Sequence, residues 1–513
     1  MQEAAMRTKL FLKNSIIILV TKLICYLGEF LCRTVLIHTL PMEYVGVTGL
    51  FSNILAVLSL SELGFGTVMV YSMYVPLAHN DEDRLLALTD FYKKAYGVIA
   101  IVLAVTGASL TPFLPYVIND CPDLPGLSLF YLLFLANAVF SYFFMSRQSL
   151  FLADQKLYII NIYSNLLRII RIILQMILLT TTHSFFLYLL IPLPFTLLTN
   201  LLLSWRAPKY YPFLNAGRHP VLHRDERKSI FKNVYAMFNH RIGNTILTST
   251  DNLLISFFLG LTEVSRNDCY CMVLNLLRYL TTPLFSSLTA GVGNYYATRT
   301  KEDTCQLFKA LHFAGFWFYT FCTISFLLLI NPFISFLWGS QFLFPMPVVL
   351  LISANYFITG IRQVPITFKE AIGLLCQDRY KPLLESLINL FVSILLVRSM
   401  GIAGIFAGTF VSMVATSLWI EPLVLFKYGF GRSVKTFWRS NLKYFLAGAA
   451  SFGLTCLCCM PIGLSGLPLL TARAVVCLIV PNAAMVLFFC RSDEFKYILG
   501  LLQTAFSFHF PFL

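Results

Sequence analysis

Apolar stretches of roughly 20 residues recur along almost the entire chain, each long enough to cross the ~30 Å hydrocarbon layer of a bilayer. Inside that layer no water satisfies the backbone, so only helices or closed barrels span it. A barrel strand reads as about ten residues of alternating polarity. These stretches are continuous instead, which selects helices. Charged residues make up 12% of the 513 positions and hydrophobic ones 58%. A soluble domain carries about 25% charged residues, so this chain lacks the polar groups to cover its own surface. The expected fold class is an all-α polytopic membrane protein with about 14 transmembrane helices.

The expected spans are 12–38, 46–74, 94–118, 127–151, 158–180, 184–205, 233–259, 269–294, 309–337, 346–368, 383–399, 403–426, 442–462 and 470–490. The formal net charge is +14, but the basic residues form no single face that would hold nucleic acid. Only Arg266, Arg398 and Arg473 fall in, or at the edge of, loops after odd-numbered spans. Seven lie deep inside spans, and the rest gather at the termini and in, or at the edges of, the loops after even-numbered spans. Basic loops stay in the cytoplasm, so both termini are expected there, in a bacterial inner (plasma) membrane. The first apolar run is broken by Lys22 and lacks a small-residue cleavage site, unlike a signal peptide.

The halves echo each other. "TPF" at 111–113 returns as "NPF" at 331–333, "TVLI" at 34–37 as "NLLI" at 252–255, and Asp154 and Asn165 as Asp378 and Asn389. The offsets of 220, 218 and 224 each join spans six apart, which keeps orientation and describes a parallel repeat. The expected organisation is a six-helix bundle at 1–205, a cytoplasmic linker at 206–232, a second six-helix bundle at 233–430, and two additional helices with a tail at 431–513. The two pseudo-symmetric bundles are expected to surround a central cavity.

The 13 cysteines lie mostly within apolar runs. They read as small apolar side chains, since a disulfide framework needs oxidising loops and a metal site needs His or acid partners. No Walker loop, nucleophile elbow or HExxH occurs, so neither an enzyme nor an ATP-driven pump is expected, and no cofactor or metal.

A charge at the bilayer centre costs about 2.5–3.5 kcal/mol on insertion scales and so faces a cavity or a partner. The intramembrane basic residues are Lys22, Arg33, Arg168, Arg171, Arg241, Arg278 and Arg362. The acids are Glu29, Glu62, Asp251, Glu385 and, near a helix end, Glu421. Lys22, Tyr26, Glu29 and Arg33 share one helical face, as do Asn161, Asn165, Arg168 and Gln175, and Asn275, Arg278 and Thr282. Asn244 and Asp251 lie in one broad sector. Uncharged members suit interhelical hydrogen bonding, while the arginines suit cavity lining. Lys22 and Glu62 lie at nearly equal depth in the first helical hairpin, which makes Glu62 the expected counter-ion of Lys22. The alternative is a protonatable carboxylate that couples transport to protons. Glu29 and Arg33, four residues apart, are placed to satisfy each other.

"SLFLADQKLYIINI", "STDNLLISFFLG", "GVGNYYA", "GLLCQDRYKPLLESLINLFVSILLV" and "GIAGIFAGTF" resemble blocks of the oligosaccharide flippases of the Wzx type. These belong to the superfamily that includes multidrug-and-toxin extrusion transporters and lipid II flippases. The resemblance covers residues 8–440. Where its pattern has a Val-Gly-x-Tyr turn, this chain has "LTEVSRNDCY". The resemblance implies movement of an undecaprenyl-pyrophosphate-linked oligosaccharide from inner to outer leaflet by alternating access, for extracellular or cell-wall polysaccharide. The expected headgroup residues are Lys22, Arg33, Arg168, Arg241, Asn244, Arg278 and Arg362, because arginine grips phosphate oxygens through paired donors. Glu29, Glu62, Asp251 and Glu385 are expected as counter-ions or as the coupling site for a proton or sodium ion. Expected partners are the lipid-linked oligosaccharide, membrane lipid, and a polysaccharide polymerase or glycosyltransferases. The alternatives are a cation-coupled multidrug exporter or a lipid II flippase of the same fold, and after those a polyprenol-dependent glycosyltransferase or polymerase.

Overall fold

The computed structural model describes residues 2–62, 65–118, 124–154, 156–215, 217, 218, 220–374 and 377–507. The side chains of 2–19, 60, 61, 117, 236–249, 284, 286, 287, 290, 501, 502 and 504–507 are excepted. The chain divides into two compact units, Met1–Asp268 and Cys269–Leu513, and both are helical.

The first unit holds α1 (Gln2–Thr39), α2 (Met42–Leu58), α3 (Phe65–Ala78), α4 (Glu82–Leu110), α5 (Leu114–Val117), α6 (Leu127–Tyr142), α7 (Met145–Ala153), α8 (Leu157–Thr182), α9 (Phe185–Leu190), α10 (Pro192–Tyr210) and α11 (Arg224–Leu259). It ends with the first two turns of α12 (Leu261–Thr298). Side chains at helix starts fix several boundaries: Asp81 accepts a hydrogen bond from the Arg84 amide at 3.0 Å and so caps α4. α1 and α8 lie side by side, with Ile172 over Gly28 and Asn165 Nδ2 donating to Thr21 Oγ1 at 3.2 Å. Gln175 donates to the Tyr188 carbonyl at 2.9 Å, and Asn200 to the Phe140 carbonyl at 3.1 Å. These uncharged polar groups are interhelical bridges, which lipid-embedded helices need because burial of apolar surface does not drive their association.

The second unit holds the rest of α12, then α13 (Lys301–Leu337), α14 (Met346–Ile361), α15 (Gln363–Ile372), α16 (Lys381–Met400), α17 (Ile402–Ala415), α18 (Ser417–Val424), a π-helical turn at Leu425–Phe430, α19 (Lys435–Cys459), α20 (Gly466–Phe489) and α21 (Asp493–Ser507). Phe308, Phe368, Phe426, Phe430 and Phe437 form an aromatic core. α16 and α17 make a tight hairpin. A Cβ on Gly404 would sit 2.5 Å from the Leu396 carbonyl, and one on Gly408 2.1 Å from Ser393 Oγ. The spaced glycines of "GIAGIFAG" therefore set the contact distance of this pair.

Every expected span falls on helix. Among the described residues, nine helices are long and apolar enough to cross a membrane, or ten if Leu127–Tyr142 and Met145–Ala153, bent by 51°, count as one span. The count of 14 is not reached by that test. The remaining expected spans are α1, α11 and α12, parts of whose side chains lie outside the described residues, and Met42–Ala78, which is made of two shorter apolar helices, Met42–Leu58 and Phe65–Ala78. The second span is broken: α2 ends at Leu58 and a 3-10 turn, Ser59–Glu62, precedes α3. The expected loop between spans seven and eight is also different. Gly260, at φ 86°, turns the chain once, and α12 begins at Leu261.

Candidate functional site

In the first unit, helix spacing gives α8 two faces. Tyr158, Ile162, Leu166, Ile170 and Ile173 are exposed large apolar side chains on one face, the one suited to lipid. Arg168 stands about 200° round the helix from Leu166, on the face of Asn165 and Gln175 that meets α1. Arg168 Nε donates to Glu29 Oε1 at 2.8 Å, its Nη2 lies 2.8 Å from the same oxygen, and Arg171 Nη2 donates to that oxygen at 3.0 Å. Two guanidinium groups thus share one carboxylate, and the group keeps a net positive charge. The Arg168 side chain is 43% exposed while lying near the middle of its helix and off its apolar face.

Glu29 is therefore not paired with Arg33 as the sequence spacing led us to expect. Tertiary partners on α8 outcompete the weak i,i+4 interaction. Arg33 points elsewhere: Nη2 meets Asp268 Oδ2 at 2.9 Å and the Val45 carbonyl at 3.2 Å, and Nη1 donates to Thr48 Oγ1. Asp268 Oδ1 also accepts from Asn252 Nδ2 at 3.3 Å, and Asn252 Oδ1 from Asn267 Nδ2 at 2.5 Å. Ser265 Oγ donates to the Met42 carbonyl at 2.6 Å. The clasp joins α1, the start of α2, the end of α11 and the start of α12. It requires glycine: a Cβ on Gly49 would sit 1.8 Å from Asp268 Oδ2, and one on Gly46 2.3 Å from the Leu261 carbonyl. Asp268 lies in the segment read from sequence as a loop, so its partnership with Arg33 was missed; its one signal was an acid beside an apolar helix.

The expected Lys22–Glu62 ion pair is not formed. Lys22 is half-buried on α1 and, among the described residues, takes part in no ion pair. Glu62 sits on the 3-10 turn, where its Oε1 and the Tyr96 hydroxyl converge on Gly66, 3.1 and 3.2 Å from where a Cβ there would lie. The break in the second span turns the carboxylate toward α4, which equal depth along a straight hairpin does not foresee. Asp251 is half-buried on α11. Arg241 and Asn244 lie on α11, but their side chains fall outside the described residues.

In the second unit, Arg278 is exposed on α12, with Nη1 3.4 Å from Asn275 Oδ1. Arg362, at the break between α14 and α15, is nearly buried and saturated. Nη2 and Nε donate to Glu421 at 2.8 and 3.1 Å, and Nη1 to Glu385 Oε1 at 3.2 Å. Lys381 also contacts Glu421, and Ser417 Oγ donates to Glu385 Oε2 at 2.5 Å. Two cations face two fully buried carboxylates. Their charges cancel, leaving no surplus for an anion. Lys369 is likewise paired with Asp378. A separate apolar groove of about 280 Å³ lies between α13, α14 and α19, lined by Phe316, Leu327, Leu350, Phe357, Phe445 and Phe452 among others.

No family model matches the chain, and no curated protein sequence matches it. Solved structures do. The chain is similar to the lipid II flippase MurJ in an inward closed conformation, with TM-score 0.62 and 14% identity over 91% of this chain and 99% of that one. It is similar to an inward-facing multidrug resistance MATE family transporter of the MOP superfamily, with TM-score 0.62 and 13% identity over 77% and 93%. A MOP superfamily transporter from Pyrococcus furiosus matches with TM-score 0.52 and 13% identity over 81% and 95%. At these identities the likeness is one of fold: this multi-pass membrane protein has the fold of those transporters.

Proposed function

We propose that the chain is a flippase that carries a polyprenyl-pyrophosphate-linked oligosaccharide across a bacterial inner membrane by alternating access, for an extracellular or wall polysaccharide. The observation that carries the reading is the surplus of positive charge in the first unit. Arg168 and Arg171 share the single carboxylate of Glu29, and Lys22 on the same α1 adds a further cation. A pyrophosphate is the ligand this group fits: an incoming oxyanion takes up guanidinium donors that Glu29 leaves over. In the second unit, exposed Arg278 takes part in no ion pair among the described residues and is itself open to an anion. Arg362, with its charge cancelled by Glu421 and Glu385, serves the structure of its own unit instead.

A cation-coupled drug exporter would need surplus negative charge where its cargo sits, and the described part of the first unit's α1–α8 face has the opposite sign. The chain has the fold of a lipid II flippase as well as of a drug transporter, so a lipid-linked cargo is within the reach of this fold. A prenyl tail needs apolar cover, and the groove between α13, α14 and α19 has the chemistry for it. The excess of Lys and Arg at the termini and in the loops after even-numbered spans supports cytoplasmic termini.

The test is reconstitution in liposomes with three cargoes: a polyprenyl-pyrophosphate oligosaccharide, lipid II and a cationic dye. Translocation of the first supports the proposal. Movement of lipid II alone reassigns the cargo, and movement of the dye alone rejects the flippase reading.

A further inference from the structure

One surface of the first unit lies apart from the Glu29–Arg168–Arg171 group. The exposed apolar stripe of α8 (Ile162, Leu166, Ile170) runs beside one on α10, formed by Leu198, Leu201 and Trp205. At the ends where the basic loops lie, both stripes finish in stacked aromatic and cationic groups. The Arg206 guanidinium lies 5.7 Å from the Tyr163 ring of α8 and 5.6 Å from the Trp205 ring. The Lys209 ammonium lies 4.7 Å from Trp205, which is 62% exposed. Neither Arg206 nor Lys209 forms an ion pair among the described residues, whereas neighbouring Lys156 is held by Asp154 at 2.6 Å.

We propose that this corner binds an anionic phospholipid of the leaflet it faces, the acyl chains lying along the α8 and α10 stripes and the phosphate-bearing headgroup on Arg206 and Lys209. Tryptophan and tyrosine settle at the headgroup level of a bilayer, and clustered unpaired cations beside a membrane attract anionic lipid. Cation–π contacts hold both cations over rings without neutralising them, so their charge stays available. Ordinary basic loops give orientation alone. Here the cations are held over aromatic rings at the end of two neighbouring apolar stripes.

The experiment is tryptophan quenching in liposomes of phosphatidylcholine and phosphatidylglycerol, with one lipid or the other carrying brominated acyl chains at equal mole fraction. The signal of Trp205, one of five tryptophans, is isolated by difference from the Trp205→Phe variant. Brominated phosphatidylglycerol is expected to quench it about twofold more than brominated phosphatidylcholine, and the difference is expected to vanish in Arg206→Gln/Lys209→Gln. Equal quenching by the two lipids in the unaltered protein overturns the proposal, as does a preference that survives in the double variant. Both substitutions are on the surface, and the first comparison needs neither.

Discussion

Arg33 Nη2 and Asp268 Oδ2 lie 2.9 Å apart although 235 positions separate the two residues in sequence. Both side chains are largely buried, at 17% and 14% exposure. Removing one partner leaves the other charge uncompensated, a loss of about 3 kcal/mol for well-buried pairs. Arg33→Ala and Asp268→Ala are each expected to lower the thermal midpoint of the purified protein. The exchange Arg33→Asp/Asp268→Arg is expected to recover part of that loss. A double-mutant cycle with no coupling would remove the pair from the account.

The same clasp depends on a missing side chain. Gly49→Ala places a methyl group 1.8 Å from the present position of Asp268 Oδ2, so the carboxylate must leave Arg33. Gly49→Ala is expected to reproduce the stability loss of Asp268→Ala and to add little to it when the two are combined, because both act on one contact. Additive losses in melting experiments would show that the glycine serves something else.

The two arginine clusters are expected to respond oppositely. Arg168→Ala/Arg171→Ala removes surplus charge at a face where Arg168 is 43% exposed. It is expected to leave the melting temperature nearly unchanged and to slow translocation of the lipid-linked oligosaccharide at least about tenfold, an effect of about 1.4 kcal/mol. Arg362→Ala leaves Lys381 as the one cation facing both Glu385 and Glu421, which are 4% and 0% exposed. It is expected to cost about 3–5 kcal/mol of stability and to be read in expression level and unfolding rather than in cargo affinity.

The groove of the second unit makes a steric prediction. Gly448 lies on its wall, 3.5 Å from Thr320 Cγ2 when a Cβ is added. Gly448→Leu is expected to fill part of the volume and to slow transport of a long-chain polyprenyl substrate more than that of a short-chain analogue. Equal slowing of the two would argue that the groove does not hold the tail.

Helices and polar stripes were legible because periodicity survives in any helix that meets both lipid and protein. The Asn161–Gln175 stripe of α8 does face α1, and Asn165 and Gln175 do bridge helices. What the sequence could not supply was partner choice. Glu29 is four residues from Arg33, yet bonds Arg168 and Arg171, some 140 positions away, because sequence spacing ranks local pairs and packing ranks all of them. Glu62 was misplaced because a 3-10 turn breaks its helix, and equal depth in a hairpin assumes straight ones. Asp268 escapes a sequence reading because "LTEVSRND" is polar enough to read as a loop, while a single glycine at positive φ, Gly260, lets a new helix start at Leu261.

The central claim is that the Glu29–Arg168–Arg171 group receives a pyrophosphate. The most direct measurement compares, in the same liposomes, translocation of one oligosaccharide linked to a polyprenol through pyrophosphate or through an uncharged ether. The account predicts rapid transfer of the pyrophosphate lipid, little of the ether lipid, and loss of that discrimination in Arg168→Ala/Arg171→Ala. Equal transfer of the two lipids by the unaltered protein would contradict it.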